Sequence, residues 1–145
     1  MMIKFELVDN PYVTSQEKGV SYQNGRIHFY EKKEVIAMRN EYTTCIKRYM
    51  RVNGIEPPRL KGSVKLKVVF CYKTTERKKW GHLKSTKPDN DNAVKLLQDV
   101  LADLEFFETG DQQIADLRVA KFWGEKATVC IEIEEVASDI YRVKR

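Results

Sequence analysis

VKLKVVFCY, from Val64 to Tyr72, alternates apolar side chains with lysines at positions 65 and 67, in the pattern of a half-buried strand. A polar, basic loop is predicted over residues 74–88. Residues 90–107 then repeat apolar side chains at about 100° per residue, which predicts an amphipathic helix. A strand followed by such a helix favours a sheet with helices packed on it.

The N-terminal part of the chain indicates two short strands and a long helix. Residues 3–8 and 26–30 have strand patterns, and Asn24-Gly25 is a strong turn signal, so we expect an N-terminal β-hairpin. Residues 31–52 lack glycine and proline and repeat apolar side chains near helical spacing. They predict a helix that ends at Asn53-Gly54.

The C-terminal part predicts two closing strands, residues 114–122 and 127–136, which we expect to form a hairpin. Together the elements predict an α+β fold, a mixed β-sheet with two main helices packed on it. The length is typical of one domain. We therefore expect a single domain over residues 1–145, with a core from about residue 3 to residue 136 and a C-terminal tail over residues 137–145.

Composition argues against a membrane-spanning or disulfide-linked protein. The longest apolar runs, such as residues 68–71, are far too short to cross a bilayer, and residues 1–4 lead into no signal-type segment. Cys45, Cys71 and Cys130 are widely spaced and odd in number, which favours neither a disulfide framework nor a thiolate zinc site. We expect a cytoplasmic protein with reduced cysteines.

Charge is divided unevenly along the chain. Residues 57–87 contain ten lysines and arginines against one glutamate, whereas residues 88–139 contain thirteen acids against four lysines and arginines. With Tyr72, Trp80 and His82, the basic stretch has the charges and rings that neutralise phosphates and stack on bases. A solvated loop beside a lysine-rich strand face is an equally open alternative.

Two carboxylates stand at the predicted start of the second helix, in Lys87-Pro88-Asp89-Asn90-Asp91-Asn92. Mg²⁺ prefers oxygen ligands and often takes one or two carboxylates together with waters and phosphate oxygens. The alternative is that these acids cap the helix and complement its dipole. The pair is harder to explain as a cap alone, because nearby carboxylates repel each other unless a cation or hydrogen-bond donors relieve them.

Asp111 and Lys95 each have two interpretations. Asp111 follows the helix in a turn, where an acid is usual, and becomes a third metal ligand only if the chain doubles back. Lys95 lies one helical turn after Asp91, so it is either a surface ion-pair partner or a cation that stabilises a scissile phosphate. Spacing alone decides neither case.

Two linked motifs resemble the RusA family of Holliday junction resolvases. Residues 89–95, DNDNAVK, are similar to its D-x-D-N-x-x-K signature, and residues 111–114, DQQI, are similar to D-x-Q-[VI]. Gly25-Arg26-Ile27-His28 also resembles the family's N-terminal hairpin, and the element order agrees across most of the chain. The sequence departs from the family at Gly110, where many members have aspartate, and at residues 11–15, which replace a Pro-Ser-x-Asn-type segment.

The resemblance implies a homodimeric, Mg²⁺-dependent endonuclease that cuts paired strands near the crossover of four-way DNA junctions, with Mn²⁺ as an alternative ion. Asp89, Asp91 and Asp111 match the family's metal-binding acids, and Lys95 matches its catalytic lysine. Such proteins are often encoded by phages or prophages and act in the bacterial cell. The cations between positions 73 and 87 are expected to bind the flanking DNA backbone: Lys73, Arg77, Lys78, Lys79, Lys84 and Lys87.

Other functions remain open on the sequence alone. A branched-DNA or flap nuclease of the same fold would have looser substrate choice. A non-catalytic junction-binding module would tolerate Asp91→Asn, and a structural phage protein would need neither DNA nor metal. Trp80, Phe106 and Phe107 are left out of the site, because aromatic residues in such positions more often belong to a core or a dimer interface.

Overall fold

The computed structural model describes residues 2–8, 18–31 and 33–137, which form a four-stranded sheet, a two-stranded sheet and two main helices. The strands are β1 Met2–Val8, β2 Lys18–Gln23, β3 Arg26–Glu31, β4 Val64–Lys73, β5 Ile114–Gly124 and β6 Thr128–Glu135. The helices are α1 Lys33–Val52 and α2 Asn90–Asp103, and short 3₁₀ helices span Arg77–Lys79 and Asp111–Gln113. The predicted α+β class is confirmed. The predicted turn at Asn24-Gly25 does join a hairpin, but β3 pairs there with β2, a strand that the sequence did not predict, whereas the predicted opening strand β1 pairs with β6.

Two segments singled out in the sequence are not among the residues that the structure describes. The substituted segment at residues 11–15 and nearly all of the C-terminal tail lie outside the described residues. That the whole chain forms one domain stays a prediction.

Strand β4 is an inner strand of the larger sheet, whose order is β1-β6-β4-β5. It pairs antiparallel with β6 on one side and parallel with β5 on the other. The alternation predicted for this strand is confirmed, since Val64, Leu66, Val68 and Phe70 are all completely buried. The apolar face of the strand therefore lies at the centre of the core.

The prediction that the last two strands pair as a hairpin is wrong, because β4 lies between them. The burial of each strand gives the physical reason. In β6, Val129, Ile131 and Ile133 are completely buried, as expected for a strand with neighbours on both sides. In β5 the only buried residue is Gly124, which suits a strand at the edge of the sheet.

The two helices bring their apolar faces to the core that the sheet supplies. Helix α1 contacts β1, helix α2 contacts β5, and the helices contact each other. Their buried residues recur three or four positions apart, which is the spacing of one helical face. These residues are Val35, Met38, Tyr42, Ile46 and Met50 in α1, and Ala93, Val94, Leu96, Leu97, Val100 and Leu101 in α2.

Helix α2 ends at Asp103, four residues before the predicted end. Glu105 adopts a left-handed backbone conformation with φ 61°, which stops the helix. The backbone of residues 105–107 then bonds to an earlier segment: Arg59 N–H donates to Glu105 O at 3.1 Å, and Leu60 N–H donates to Phe106 O at 2.9 Å. Phe106 and its neighbour Phe107 are buried, as core residues.

The basic segment, residues 74–88, is more ordered than the predicted loop. After the 3₁₀ helix, its backbone runs antiparallel beside the end of β5, with a bridge between Leu83 and Phe122. Gly81 N–H donates to Trp123 O at 2.8 Å, and Lys84 N–H donates to Lys121 O at 3.0 Å. The basic segment is thus attached to the sheet, and only its last four residues connect it to α2.

The close approach of β5 to β4 gives a stability test. A Cβ at Gly124 would lie 2.3 Å from Cys71 Sγ, so one of these buried groups must move when a side chain is added. We expect Gly124→Ala to lower the free energy of unfolding by about 1–3 kcal/mol. Urea denaturation followed by circular dichroism measures this change.

The matched control is the double variant Gly124→Ala with Cys71→Ala, in which the sulfur has been removed. Its loss of stability should be smaller than the sum of the two single losses, since the clash exists only when both groups are present. Strictly additive losses would show that the contact with Cys71 is not the cause.

Candidate active site

The first candidate ligand, Asp89, is the N-cap residue of α2 and is exposed. Its backbone is extended, with φ −67° and ψ 145°, and its carbonyl accepts a hydrogen bond from Ala93 N–H at 2.9 Å. Its side chain makes no capping hydrogen bond. The carboxylate therefore does not serve as a side-chain cap, which was the structural alternative for this residue.

Asp91 and Lys95 lie on the exposed side of the same helix. Asp91 is in the first turn and Lys95 is one turn later. Within residues 33–137, no ion pair joins their side chains, so the surface-pair interpretation of Lys95 is not realised in this structure. An exposed ammonium one turn beyond Asp91 is suited to stabilise a phosphate that a metal ion holds next to the two carboxylates.

Asp111 lies just before β5 in the chain. It is exposed and begins the 3₁₀ helix that precedes the strand. By contrast, Asn90 Nδ2 donates to Val119 O at 3.2 Å, which places the start of α2 beside the middle of β5. Helix α2 also contacts the 3₁₀ helix that Asp111 begins.

The structure places Asp89 and Asp91 together at the start of α2, and Asp111 on the 3₁₀ helix before β5. The described residues contain no group of three or more histidines, cysteines or acids that could hold a metal ion. The two carboxylates at the start of α2 still fit a hard divalent cation, which can complete its shell with waters and phosphate oxygens. Metal binding by all three acids stays a prediction.

Five of the six cations predicted to bind DNA are exposed. They are Lys73, Arg77, Lys78, Lys79 and Lys87. Two of them rest on aromatic rings: the Arg77 guanidinium lies 5.7 Å from the ring centroid of Trp80, and Lys79 Nζ lies 5.6 Å from that of Trp123. The Trp80 ring is itself fixed, since Nε1–H donates to Thr74 O at 2.9 Å. Aromatic rings thus hold two of the exposed cations in place on the basic segment.

Lys84, the sixth predicted cation, is buried, with only 7% of its surface exposed. Its Nζ lies 4.8 Å from the ring centroid of Trp123 and 5.0 Å from that of Tyr72. It donates to Thr86 Oγ1 at 2.7 Å and to the carbonyl oxygen of Lys87. Burial, and to a lesser extent the charge of Lys121, lowers the pKa of Lys84. DNA contact by Lys84 stays a prediction.

Lys121 belongs to this region and was missed by the sequence analysis. From β5 its Nζ donates to Pro88 O at 2.6 Å and to Thr86 O. Its sequence position, in a strand of the acidic C-terminal third, gives no sign of this contact, because the partners are carbonyl groups more than thirty residues away. Asn90 was likewise missed, although its place between the two acids could have marked it.

Two exposed carboxylates at a helix start, next to a basic surface, have the features of a nuclease site. Comparisons with known proteins identify the family of nucleases. The family described as endodeoxyribonuclease RusA matches residues 9–134. The chain is 30% identical over 144 residues to crossover junction endodeoxyribonuclease rusA of Lactococcus phage r1t, across 94% of this chain and 100% of the phage protein. It is 29% identical over 143 residues to the uncharacterized protein YqaN of Bacillus subtilis (strain 168), across 94% and 98% of the two chains.

The chain therefore belongs to the RusA endodeoxyribonuclease family, and it is a nuclease. The resemblance found in the two motifs is confirmed. Nucleases of this type generally depend on a divalent metal, which agrees with the oxygen donors at the start of α2. Among the described residues, no helix is both long and apolar enough to cross a membrane.

Proposed function

We propose that this protein resolves Holliday junctions by paired, Mg²⁺-dependent hydrolysis of phosphodiester bonds during DNA recombination and repair. The proposal rests on the exposed carboxylates of Asp89 and Asp91 at the start of α2, directly after the basic segment. The Asp89 carboxylate makes no capping hydrogen bond with the helix. The crossover-junction name of the phage relative supports the choice of substrate. Mn²⁺ is the alternative ion, and the bacterial cytoplasm is the expected location.

In this mechanism the acids would bind the metal, and the lysine would stabilise negative charge on the phosphate. Asp89 and Asp91 would hold the metal, with Asp111 as the third proposed ligand. When bound, the metal supplies Lewis-acid stabilisation at the scissile phosphate. Lys95 lies one helical turn beyond Asp91, and its ammonium would stabilise the negative charge that develops on the phosphate oxygens as the bond breaks.

The cations of the basic segment offset the repulsion between the acids and the DNA phosphates. Without a metal, exposed carboxylates repel the phosphate backbone, so the attraction must come from neighbouring cations. Arg77, Lys78 and Lys79 project from the 3₁₀ helix, and Lys87 lies two residues before Asp89. We assign these exposed cations, together with Lys73, to the DNA backbone that flanks the cleaved bond.

The proposal is tested by cleavage of a labelled four-way junction, with linear duplex and flap DNA for comparison, in the presence and absence of Mg²⁺. Asp91→Asn should keep the shape of the residue but weaken metal binding. We expect it to lower the rate of junction cleavage on the order of 100-fold or more. The matched control is Asp103→Asn, which changes an exposed acid at the other end of α2 and should cut at the wild-type rate.

Each outcome of this experiment selects a function. Symmetric, metal-dependent cuts that the Asp91 variant loses would support a junction resolvase. Equal cutting of junctions and flaps would replace it with a less selective branched-DNA nuclease. Binding without cutting by the wild-type protein would leave the non-catalytic junction-binding module.

Phosphate binding by the basic segment predicts a change in salt dependence. Lys78→Ala should weaken junction binding and reduce the slope of log affinity against log salt by about 1, because one counterion fewer is released. Fluorescence anisotropy with Ca²⁺ in place of Mg²⁺ measures the slope. Lys47→Ala, an exposed lysine on α1, is the control. Equal slopes for the two variants would remove Lys78 from the DNA-binding surface.

Resolution by two symmetric cuts requires two active sites related by a twofold axis, which a homodimer supplies. We therefore expect a dimer in solution, with twice the chain mass of 17.0 kDa. Multi-angle light scattering at micromolar concentration measures this mass. A monomer under conditions in which the protein cuts both strands of a junction would contradict the dimer.

A further inference from the structure

We propose that Lys84 and Lys121 are positioning residues, which hold residues 86–88 and thereby fix Asp89 at the start of α2. The inference rests on the proposed function, in that Asp89 is taken as a metal ligand. It assigns to Lys84 a role other than phosphate binding, and it gives Lys121 a role that neither family motif indicates.

The contacts converge on one short segment. Lys84 Nζ donates to Thr86 Oγ1 and to the carbonyl of Lys87, while Lys121 Nζ donates to the carbonyls of Thr86 and Pro88. Three successive carbonyl oxygens and one hydroxyl thus accept hydrogen bonds from two ammonium groups. The next residue in the chain is Asp89.

The two lysines are themselves held firmly. Lys84 N–H donates to Lys121 O at 3.0 Å, so their backbones pair across the end of the sheet. The Lys84 ammonium is enclosed by the rings of Tyr72 and Trp123, which limits the positions it can take. A restrained donor fixes its acceptor more precisely than a flexible surface lysine does.

A buried ammonium is costly unless hydrogen-bond acceptors and rings compensate for its lost hydration. Here the Lys121 ammonium donates to the same segment and adds repulsion. Burial and, to a lesser extent, this like charge lower the pKa of Lys84. The carbonyls of residues 86–88 offset both costs. The arrangement is therefore mutually dependent: the lysines hold the path of the segment, and the segment supplies the acceptors that the two lysine side chains need.

A third contact extends the fixation into the helix. Asn90 Nδ2 donates to Val119 O, two residues before Lys121 on the same strand. Asp89 is thus flanked by a residue tied to β5 on each side, Pro88 through Lys121 and Asn90 through Val119. The direction in which the Asp89 carboxylate leaves the backbone is set by β5.

The test uses two substitutions that remove the ammonium group and keep the apolar stem: Lys84→Met and Lys121→Met. Lys84→Arg, which retains a cation between the rings, is the conservative variant. Lys79→Met is the matched control, because Lys79 also lies over the Trp123 ring but is exposed and donates to none of residues 86–88.

Two measurements need no DNA cleavage. Hydrogen–deuterium exchange should show faster uptake in residues 85–90 for both methionine variants, with peptides from α1 and β6 unchanged. Isothermal titration with Mn²⁺ should show about tenfold weaker binding, the range typical when support for a metal ligand is lost. Lys84→Arg should recover most of both properties, and Lys79→Met should match the wild type.

Cleavage and junction binding separate positioning from the other roles a lysine can have. For Lys84→Met we expect a higher half-saturating Mg²⁺ concentration and junction affinity within twofold of the wild type. Lys79→Met should lower junction affinity and leave the half-saturating Mg²⁺ concentration unchanged. Junction affinity that falls as it does in Lys79→Met would make Lys84 a DNA-binding residue and overturn the inference. Unchanged exchange and unchanged Mn²⁺ affinity would overturn it too.

The experiment distinguishes this failure from a failure of the proposed function. If the wild-type protein binds Mn²⁺ but cuts no junction, the proposed function fails, while exchange and titration still decide the role of the lysines. If Lys84→Met does not fold, as judged by its thermal transition, Lys121→Met and Lys84→Arg provide the same comparison. Normal exchange in Lys121→Met would then contradict the inference.

Discussion

The pairing of β4 on both sides is the constraint on which the rest of the structure depends. Because β5 runs parallel to β4, the chain cannot return through a tight turn and must make a long crossover between the two strands. That crossover contains the basic segment, α2 and the 3₁₀ helix of Asp111. Every candidate residue for metal or DNA except Lys73, at the end of β4, lies on it, so a requirement of the sheet places the functional residues together in the sequence.

Local periodicity predicted most of the helices and strands of this fold, but it did not predict which strands pair with one another. The alternation of β4 and the apolar face of α2 are visible in the sequence because each has one buried side. The position of β6 between β1 and β4 is not visible, since a short turn such as that after Gly124 suits a hairpin as well as a crossing strand. The early end of α2 depends on hydrogen bonds from Arg59 and Leu60, which periodicity does not report.

The candidate site divides in the same way. The acids Asp89 and Asp91 and the lysine Lys95 were predicted from one motif, because their functional spacing is local to a helix. Lys121 escaped prediction, since its significance comes from carbonyls brought to it by the crossover. Lys84 was identified as a cation but given an exposed role, because charge composition does not reveal whether a side chain is enclosed by Tyr72 and Trp123.

The edge position of β5 also affects how the protein behaves in a crowded cell. The segment 81–84 covers the end of this strand, and the described residues place no further strand beside its first half. An open edge invites strand addition by other chains. Along it, Asp116 and Arg118 flank the exposed Leu117, with Arg118 Nε 3.7 Å from Asp116 Oδ1. Charged side chains along an exposed edge discourage such strand addition.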